Sequence, residues 1–449
     1  MQKTASWVAI WPPIALASLA SIAKKKGPVR LLDGNVETIT MEDLLKDIKE
    51  FAPDLIVINT GFPSIDVDMA AAKEIKNTFP KTKVLAFGVY FTLLEQQGLV
   101  DYPFLDFAII GEPEDTFDEI LSVLDDKTPD YGTIRGLAYK EDSGFQVTTK
   151  RTLIGDLDKI PFPDRGLLKK DRYKLPHNNK TFTLINSARG CPYPCIYCIV
   201  GPYYGKKLRS HSIDYVIDEI KECVNKYGIH EILFWEEIFT LDKDRVLSLC
   251  DAISKHNLSI SWAATTRVDR LDEEIVSAMK NAGCYLLGLG IESGVQSILD
   301  NSKKKQNTAD IKRAVKLCKK AGLKTMGHFI FGLPGETRET ANQTIKFMSK
   351  LGLNYMQCYC AVPYPKTELG NLAKKNNWVR AEKWSQYDFG GESILHTDTM
   401  RPEDVSYFRR KAFRRFYFNP LFILRTLKET KIKRIFSLFK FAKWMNPKN

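Results

Sequence analysis

The stretch A-R-G-C-P-Y-P-C-I-Y-C, residues 188–198, sets three thiols at C-x3-C-x2-C spacing on a loop stiffened by Pro192 and Pro194. Cubane iron–sulfur clusters normally take four thiolates, so Cys191, Cys195 and Cys198 would leave one iron open to an outside ligand. A structural zinc site would want a fourth Cys or His nearby, and the nearest histidines, His177 and His211, lie more than ten residues away. Zinc and plain buried thiols are the competing readings. None of the nine cysteines precedes Cys191, and the other six are scattered among apolar residues. That is no disulfide framework for a chain of 449 residues, and it points to a reducing, cytoplasmic setting.

The cysteine loop follows the first of six βα units. Strand ends are expected near Ser187, Phe234, Ala264, Leu289, Phe331 and Cys360, with helices between them, for example over 212–227 and 309–321. That rhythm predicts a partial (β/α)6 TIM-like barrel over residues 176–375, with its site at the carboxyl ends of the strands. Residues 1–130 carry a second, shorter α/β pattern. Apolar strands ending at Asp33, Thr60, Gly88 and Gly111 alternate with helices over 14–25, 41–51 and 69–78. The pattern predicts a Rossmann-like parallel sheet that binds ligands at its strand ends. Residues 131–175 read as a β-hairpin followed by a proline-rich linker, D-L-D-K-I-P-F-P-D-R. The fold class is therefore α/β throughout, with a helical C-terminal region over 376–449.

The composition is ordinarily globular, with 44% hydrophobic and 27% charged residues, while the net charge of +12 is unevenly placed. Residues 401–449 hold fourteen Lys or Arg against three Asp or Glu, so the body is nearly neutral. A body without basic excess offers no nucleic-acid groove. The tail interleaves Arg and Lys with Phe416, Tyr417, Phe418, Phe422, Phe436, Phe439, Phe441 and Trp444. Two readings fit: a basic amphipathic helix touching an anionic membrane surface, or a helix packed on the barrel. The apolar stretch over 7–23 has its charges after it, at Lys24, Lys25 and Lys26, unlike a secretory signal, and Pro12 and Pro13 break any spanning helix.

Over 180–370 the chain closely resembles the radical S-adenosylmethionine (SAM) superfamily. The cysteine motif is joined by R-S-H-S at 209–212, G-L-G-I-E-S-G at 288–294 and F-I-F-G-L-P-G-E-T at 329–337. The resemblance implies a [4Fe-4S] cluster on the three cysteines and SAM on its open iron. It further implies Tyr197 and backbone near Gly332 against the adenine, Glu236 or Glu237 on the ammonium, Glu292 in the barrel mouth, and a one-electron donor such as flavodoxin or ferredoxin. Arg267 suits the carboxylate of SAM, a fork matching a fork; a surface ion pair with Asp269 competes. His328, Cys358 and Cys360 are candidate catalytic groups, with core packing as the alternative for each.

A Rossmann-like domain ahead of such a barrel, with P-P-I-A-L-A-S-L-A, L-L-D-G-N, T-G-F-P-S and G-E-P-E, resembles the cobalamin-binding branch. The positions implied for cobalamin are Asp33, Asn35, Thr60, Gly61, Ser64, Gly88, Val89, Gly111 and Glu112. Asn35 stands where a histidine ligand to cobalt would be, and Val89 replaces a second glycine. P-Y-P-K-T at 363–367 matches a signature that closes the barrel in this branch. The expected activity is methyl transfer to an unactivated carbon of a small or lipid-like substrate. Radical oxidation, cyclisation or carbon–carbon coupling without cobalamin is the second reading, and a non-catalytic iron–sulfur electron carrier is the third. RNA methylthiotransferases share the barrel but need N-terminal cysteines that this chain lacks.

Overall fold

The computed structural model describes residues 10–142, 144–420 and 422–423. The basic aromatic segment over 424–449, and the start of the apolar stretch before Ile10, lie outside the described residues.

The first sheet holds strands β1 (Leu55–Asn59), β2 (Lys83–Phe87), β3 (Phe107–Ile109), β4 (Leu137–Glu141) and β5 (Gly144–Val147), in that order. The first three are parallel, with Leu55 opposite Lys83 and Leu85 opposite Phe107. The hairpin then pairs antiparallel onto β3, so it extends this sheet rather than standing in a linker. The strand expected to end at Asp33 is not formed. Asp33 instead caps the short helix Gly34–Glu37 and accepts from the Tyr173 hydroxyl at 2.8 Å. Leu31 and Val36 are thereby drawn into the apolar floor of the barrel and away from the sheet.

Strands β6 (Phe182–Ile185), β7 (Ala188–Arg189), β8 (Arg209–Ser210), β9 (Glu231–Phe234), β10 (Ser261–Arg267), β11 (Cys284–Glu292), β12 (Lys324–Phe331) and β13 (Tyr355–Cys360) complete the chain. Six of them form an open parallel sheet in the order β13-β12-β11-β10-β9-β6. Because side chains alternate along a strand, each contributes to two cores. Leu184, Leu233, Ala263, Leu286 and Met326 point into the barrel floor. Ile185, Phe234, Ala264, Leu287 and Phe329 meet the outer helices.

Helix Ile14–Ala23 ties the two sheets together. Leu19 and Ile22 cover Leu85, Phe87 and Phe107 of the first sheet, while Ile14 and Ala17 close the barrel floor. Two apolar faces explain why this helix lacks a polar stripe. At the other end, helix Pro402–Tyr417 buries Val405, Phe408, Ala412, Phe413 and Phe416 in the outer core. Its Tyr417 hydroxyl donates to Met356 O at 2.7 Å on β13. This part of the tail belongs to the fold. Among the described residues no helix is long and apolar enough to cross a membrane.

Candidate active site

Beyond β6 the chain enters β7, turns at Gly190 and runs through the three cysteines before returning along β8. Gly190 has φ +94°, and a Cβ there would lie 2.2 Å from Lys207 O, so the neck of the loop closes only around glycine. Inside the loop, Cys191 N–H donates to Gly205 O at 3.2 Å and Ile196 N–H to Ser302 O at 3.1 Å. Burial raises the Cys191 thiol above its ordinary range, and burial with the neighbouring Cys195 and Cys191 sulfurs pushes Cys198 up to about 12. Thiols raised in this way, as Cys191 and Cys198 are, keep their protons until a metal displaces them. Among the described residues no three His, Cys, Asp or Glu converge on a single point fit for one ion. A cubane, in which each thiolate meets a different iron, asks for a wider triangle.

Two carboxylates stand after β9. Glu236 accepts from the Ser187 hydroxyl at 2.7 Å, whereas Glu237 Oε2 is buried without a partner among the described residues. Burial pushes both up to about 7. An oxygen held dry and unpaired in this way is suited to a cation that arrives from outside.

At the end of β11, Glu292 adopts φ +63° and accepts from Lys304 Nζ at 2.7 Å, both residues being buried. The Lys304 ammonium is also drawn by the Cys195 sulfur, and its charge is favoured despite burial. Lys304 went unnoticed in the sequence, where K-K-K at 303–305 looks like a solvated run. Its neighbour Lys303 does face solvent, pairing with Glu368. Positive φ at both Lys303 and Lys305 marks the twist that turns Lys304 inward, a feature that no residue-type pattern announces.

The Tyr197 hydroxyl is buried without a partner among the described residues, and burial with Glu292 nearby raises it well above its usual range. Arg267 is occupied. Its guanidinium donates to Asp269 at 2.9 and 3.2 Å and to Lys305 O at 3.1 Å, and it stacks 3.6 Å over the Tyr193 ring. The ion pair with Asp269 is thus formed, but with Arg267 buried rather than on the surface, and the guanidinium also braces the cysteine loop through Tyr193. Gly332 N–H donates to the buried Glu336 carboxyl at 2.5 Å, and Val405 fills the space beside its Cα. That amide therefore serves its own turn.

His328 does point into the barrel, on the same face of β12 as Met326. Its Nδ1 lies 3.1 Å from the Tyr359 hydroxyl, and Nε2 is buried beside Gly288 without a partner among the described residues. Burial lowers it to about 4, so the ring is neutral. Cys358 and Cys360 share one face, as their spacing requires, and it is the outer one, packed with Phe408 and Met356. They cannot reach the barrel mouth.

Several first-domain positions are engaged within the protein. Thr60 donates to Asp68 at 2.7 Å, and Gly61 N–H to the Ser64 hydroxyl at 3.4 Å. A Cβ on Gly88 would fall 2.0 Å from Thr60 O, so its glycine answers to strand packing. Val89 packs against Gly61, Asn35 is exposed, and the Asp33 carboxylate is committed to Tyr173 and the Asn35 amide. Glu112 accepts from Arg189 and Arg209. Gly111 differs: at φ +107° it has nothing within 4 Å of where a Cβ would stand. It borders a cleft of about 260 Å³ lined also by Thr92, Thr152, Gly201 and Tyr203. The cleft joins the end of β3 to the helix Val200–Tyr204 that follows Cys198.

Comparison with known proteins bears on the family and the fold. The family model of the radical SAM superfamily matches residues 185–348, and that of the B12 binding domain matches residues 4–121. The chain is 35% identical over 418 residues to the uncharacterized methyltransferase PH0819 of Pyrococcus horikoshii, covering 93% of this chain and 90% of that one. It is 26% identical to an anaerobic magnesium-protoporphyrin IX monomethyl ester cyclase of Rubrivivax gelatinosus, covering 94% and 77% respectively. Its fold matches the radical S-adenosylmethionine methyltransferase TsrM of Kitasatospora setae, solved with cobalamin and a [4Fe-4S] cluster. The TM-score is 0.72 and the identity 17%, over 92% of this chain and 89% of that one. The chain belongs to the radical SAM superfamily, in the branch that carries a B12-binding domain ahead of the barrel.

Proposed function

We propose that this chain is a cobalamin-dependent radical SAM methyltransferase acting on a small molecule held in the barrel mouth. The observation that carries the reading is the placement of three cysteines on one loop, the unpaired Glu237 oxygen and the buried Lys304–Glu292 pair at the strand ends. Cys191, Cys195 and Cys198 would hold the cluster. Glu237 would accept from the ammonium of SAM, Lys304 would meet its carboxylate, and Tyr197 would border the adenine. The cleft at Gly111, with Thr92 and Tyr203 beside it, would receive part of the cobalamin at the strand ends. When bound, the cluster supplies the electron that cleaves SAM to methionine and a 5′-deoxyadenosyl radical, and cobalamin supplies a methyl carrier.

The protein's own part is to orient and to keep dry. The apolar floor of Leu184, Leu233, Ala263 and Leu286 excludes water below the site. The electron comes from outside the chain, from a donor of the flavodoxin or ferredoxin class. Anaerobic reconstitution with iron, sulfide, hydroxocobalamin, SAM and reductant tests the proposal. 5′-Deoxyadenosine together with S-adenosylhomocysteine supports methyl transfer. 5′-Deoxyadenosine alone favours radical chemistry without methyl transfer, whether oxidation, cyclisation as in the similar cyclase, or carbon–carbon coupling. Absence of both overturns the enzyme assignment.

A further inference from the structure

The neck of the cysteine loop is built from two arginines that face each other. In the β7–β8 ladder Arg189 pairs in register with Arg209. Like charges directly opposite across two strands repel, and both residues are buried, where an uncompensated charge is costly. The compensation comes from the first domain. Beyond β3, Gly111 turns the chain at positive φ, and Glu112 and Glu114 follow, the latter in the first turn of helix Glu114–Val123.

Arg189 donates to Glu114 at 2.6 Å and to Glu112 at 3.1 Å. Arg209 donates to both oxygens of Glu112, at 2.8 and 2.9 Å. Glu112 also accepts from Ile154 N–H at 2.8 Å, and Arg209 donates to Ile154 O at 2.6 Å and Tyr204 O at 2.9 Å. Arg189 Nε and Arg209 Nε have no partner among the described residues, so each guanidinium depends on its terminal nitrogens. Two carboxylates against two guanidiniums make a closed, neutral set. No other charged group joins it in a direct ion pair among those described.

We propose that Glu112 and Glu114 are positioning residues that lock the cluster loop shut, which makes the first domain a structural part of the iron–sulfur site. The lock acts on residues 190–208, the segment containing all three cysteines. Glu112 also borders the cleft at Gly111, and the lock accounts for why its oxygens are all engaged within the protein. The inference rests on the reading of this loop as the cluster site, but its test does not require the cluster to form.

Glu112→Gln leaves one carboxylate facing two buried guanidiniums; Glu112→Gln/Arg209→Gln restores one to one. Hydrogen exchange on the full-length, cluster-free protein should show residues 190–208 losing about tenfold or more in protection in the single variant. Protection of β6 and β9 should be unchanged, and that of the loop should return in the double variant. Iron release to a chelator from reconstituted protein should accelerate and recover in the same order. Unchanged loop protection in Glu112→Gln, or a loss that the second substitution does not rescue, would overturn the proposal. Should the single variant fail to fold while the double variant folds with a protected loop, charge balance at the neck is upheld; failure of both overturns it. Normal loop exchange in a wild-type chain that never cleaves SAM would instead count against the proposed function alone.

Discussion

Lys304 and Glu292 form a buried ion pair at 2.7 Å between the end of β11 and the turn that follows the next helix, beside the cysteine loop. Removing one partner strands the other. Lys304→Met should cost about 3–5 kcal/mol of stability because it leaves a carboxylate uncompensated in the interior. Lys304→Met/Glu292→Gln should recover most of that loss in urea unfolding. Recovery of stability without recovery of SAM affinity, measured by calorimetry on the reconstituted protein, is the expected signature of a pair that serves the cofactor. An equal recovery of both would make the pair purely structural.

Each of Cys191→Ala, Cys195→Ala and Cys198→Ala should abolish the visible absorption of the reconstituted cluster and all 5′-deoxyadenosine formation. Cys358→Ala is the contrasting variant. Its thiol faces the outer helices, so the cluster should remain while stability falls by about 1–2 kcal/mol for a small cavity. A full cluster in any of the first three variants would remove the central assignment.

The two carboxylates after β9 should separate in behaviour. Glu237→Gln removes the negative charge of the carboxylate whose Oε2 has no partner among the described residues, and should weaken SAM binding by about tenfold or more, a charge-assisted bond contributing about 1.5–3 kcal/mol. Glu236→Gln keeps an oxygen for Ser187 and should change affinity much less. The reverse order would assign the ammonium to Glu236.

What could be read from the chain alone follows from how local each feature is. The cysteine motif is contiguous, so C-x3-C-x2-C shows its chemistry without a fold. The six barrel strands were legible as short, largely apolar runs between helices; Phe234, Phe331 and Cys360 are the last residues of their strands, while the strands expected to end near Ser187, Ala264 and Leu289 end at Ile185, Arg267 and Glu292. The failures are non-local. The pairing of Glu112 with Arg189 and Arg209 could not be read because those arginines lie far away in sequence, and Lys304 passed unremarked because nothing in K-K-K tells which lysine turns inward. Alternation put Cys358 and Cys360 on one face, but only the packed helix Pro402–Tyr417 shows that the face is the outer one. The hairpin was legible as a hairpin and not as part of the first sheet, since its pairing with β3 spans a helix and a loop.

Glu336 offers a prediction with a definite pH dependence. Its side chain is fully buried, Oε2 accepts from Gly332 N–H at 2.5 Å, and Oε1 has no partner among the described residues. Burial pushes it from the ordinary 4.5 up to about 8. The folded chain therefore keeps a proton that the unfolded chain has released across that interval. Where the native state binds more protons than the unfolded one, stability falls as pH rises. The contribution is fully present below about 4.5 and is lost progressively towards about 8, beyond which a buried carboxylate must be tolerated. Glu336→Gln carries no charge at any pH and keeps an oxygen for the Gly332 amide. Its advantage over the wild type should be near zero at about pH 4.5, grow to about 1–3 kcal/mol by about pH 8, and then level off. Urea unfolding of the cluster-free protein at intervals across that range reads the difference directly. Two stability curves that run parallel would show that Glu336 ionises in the fold as readily as in water, and that the turn after β12 is open to solvent.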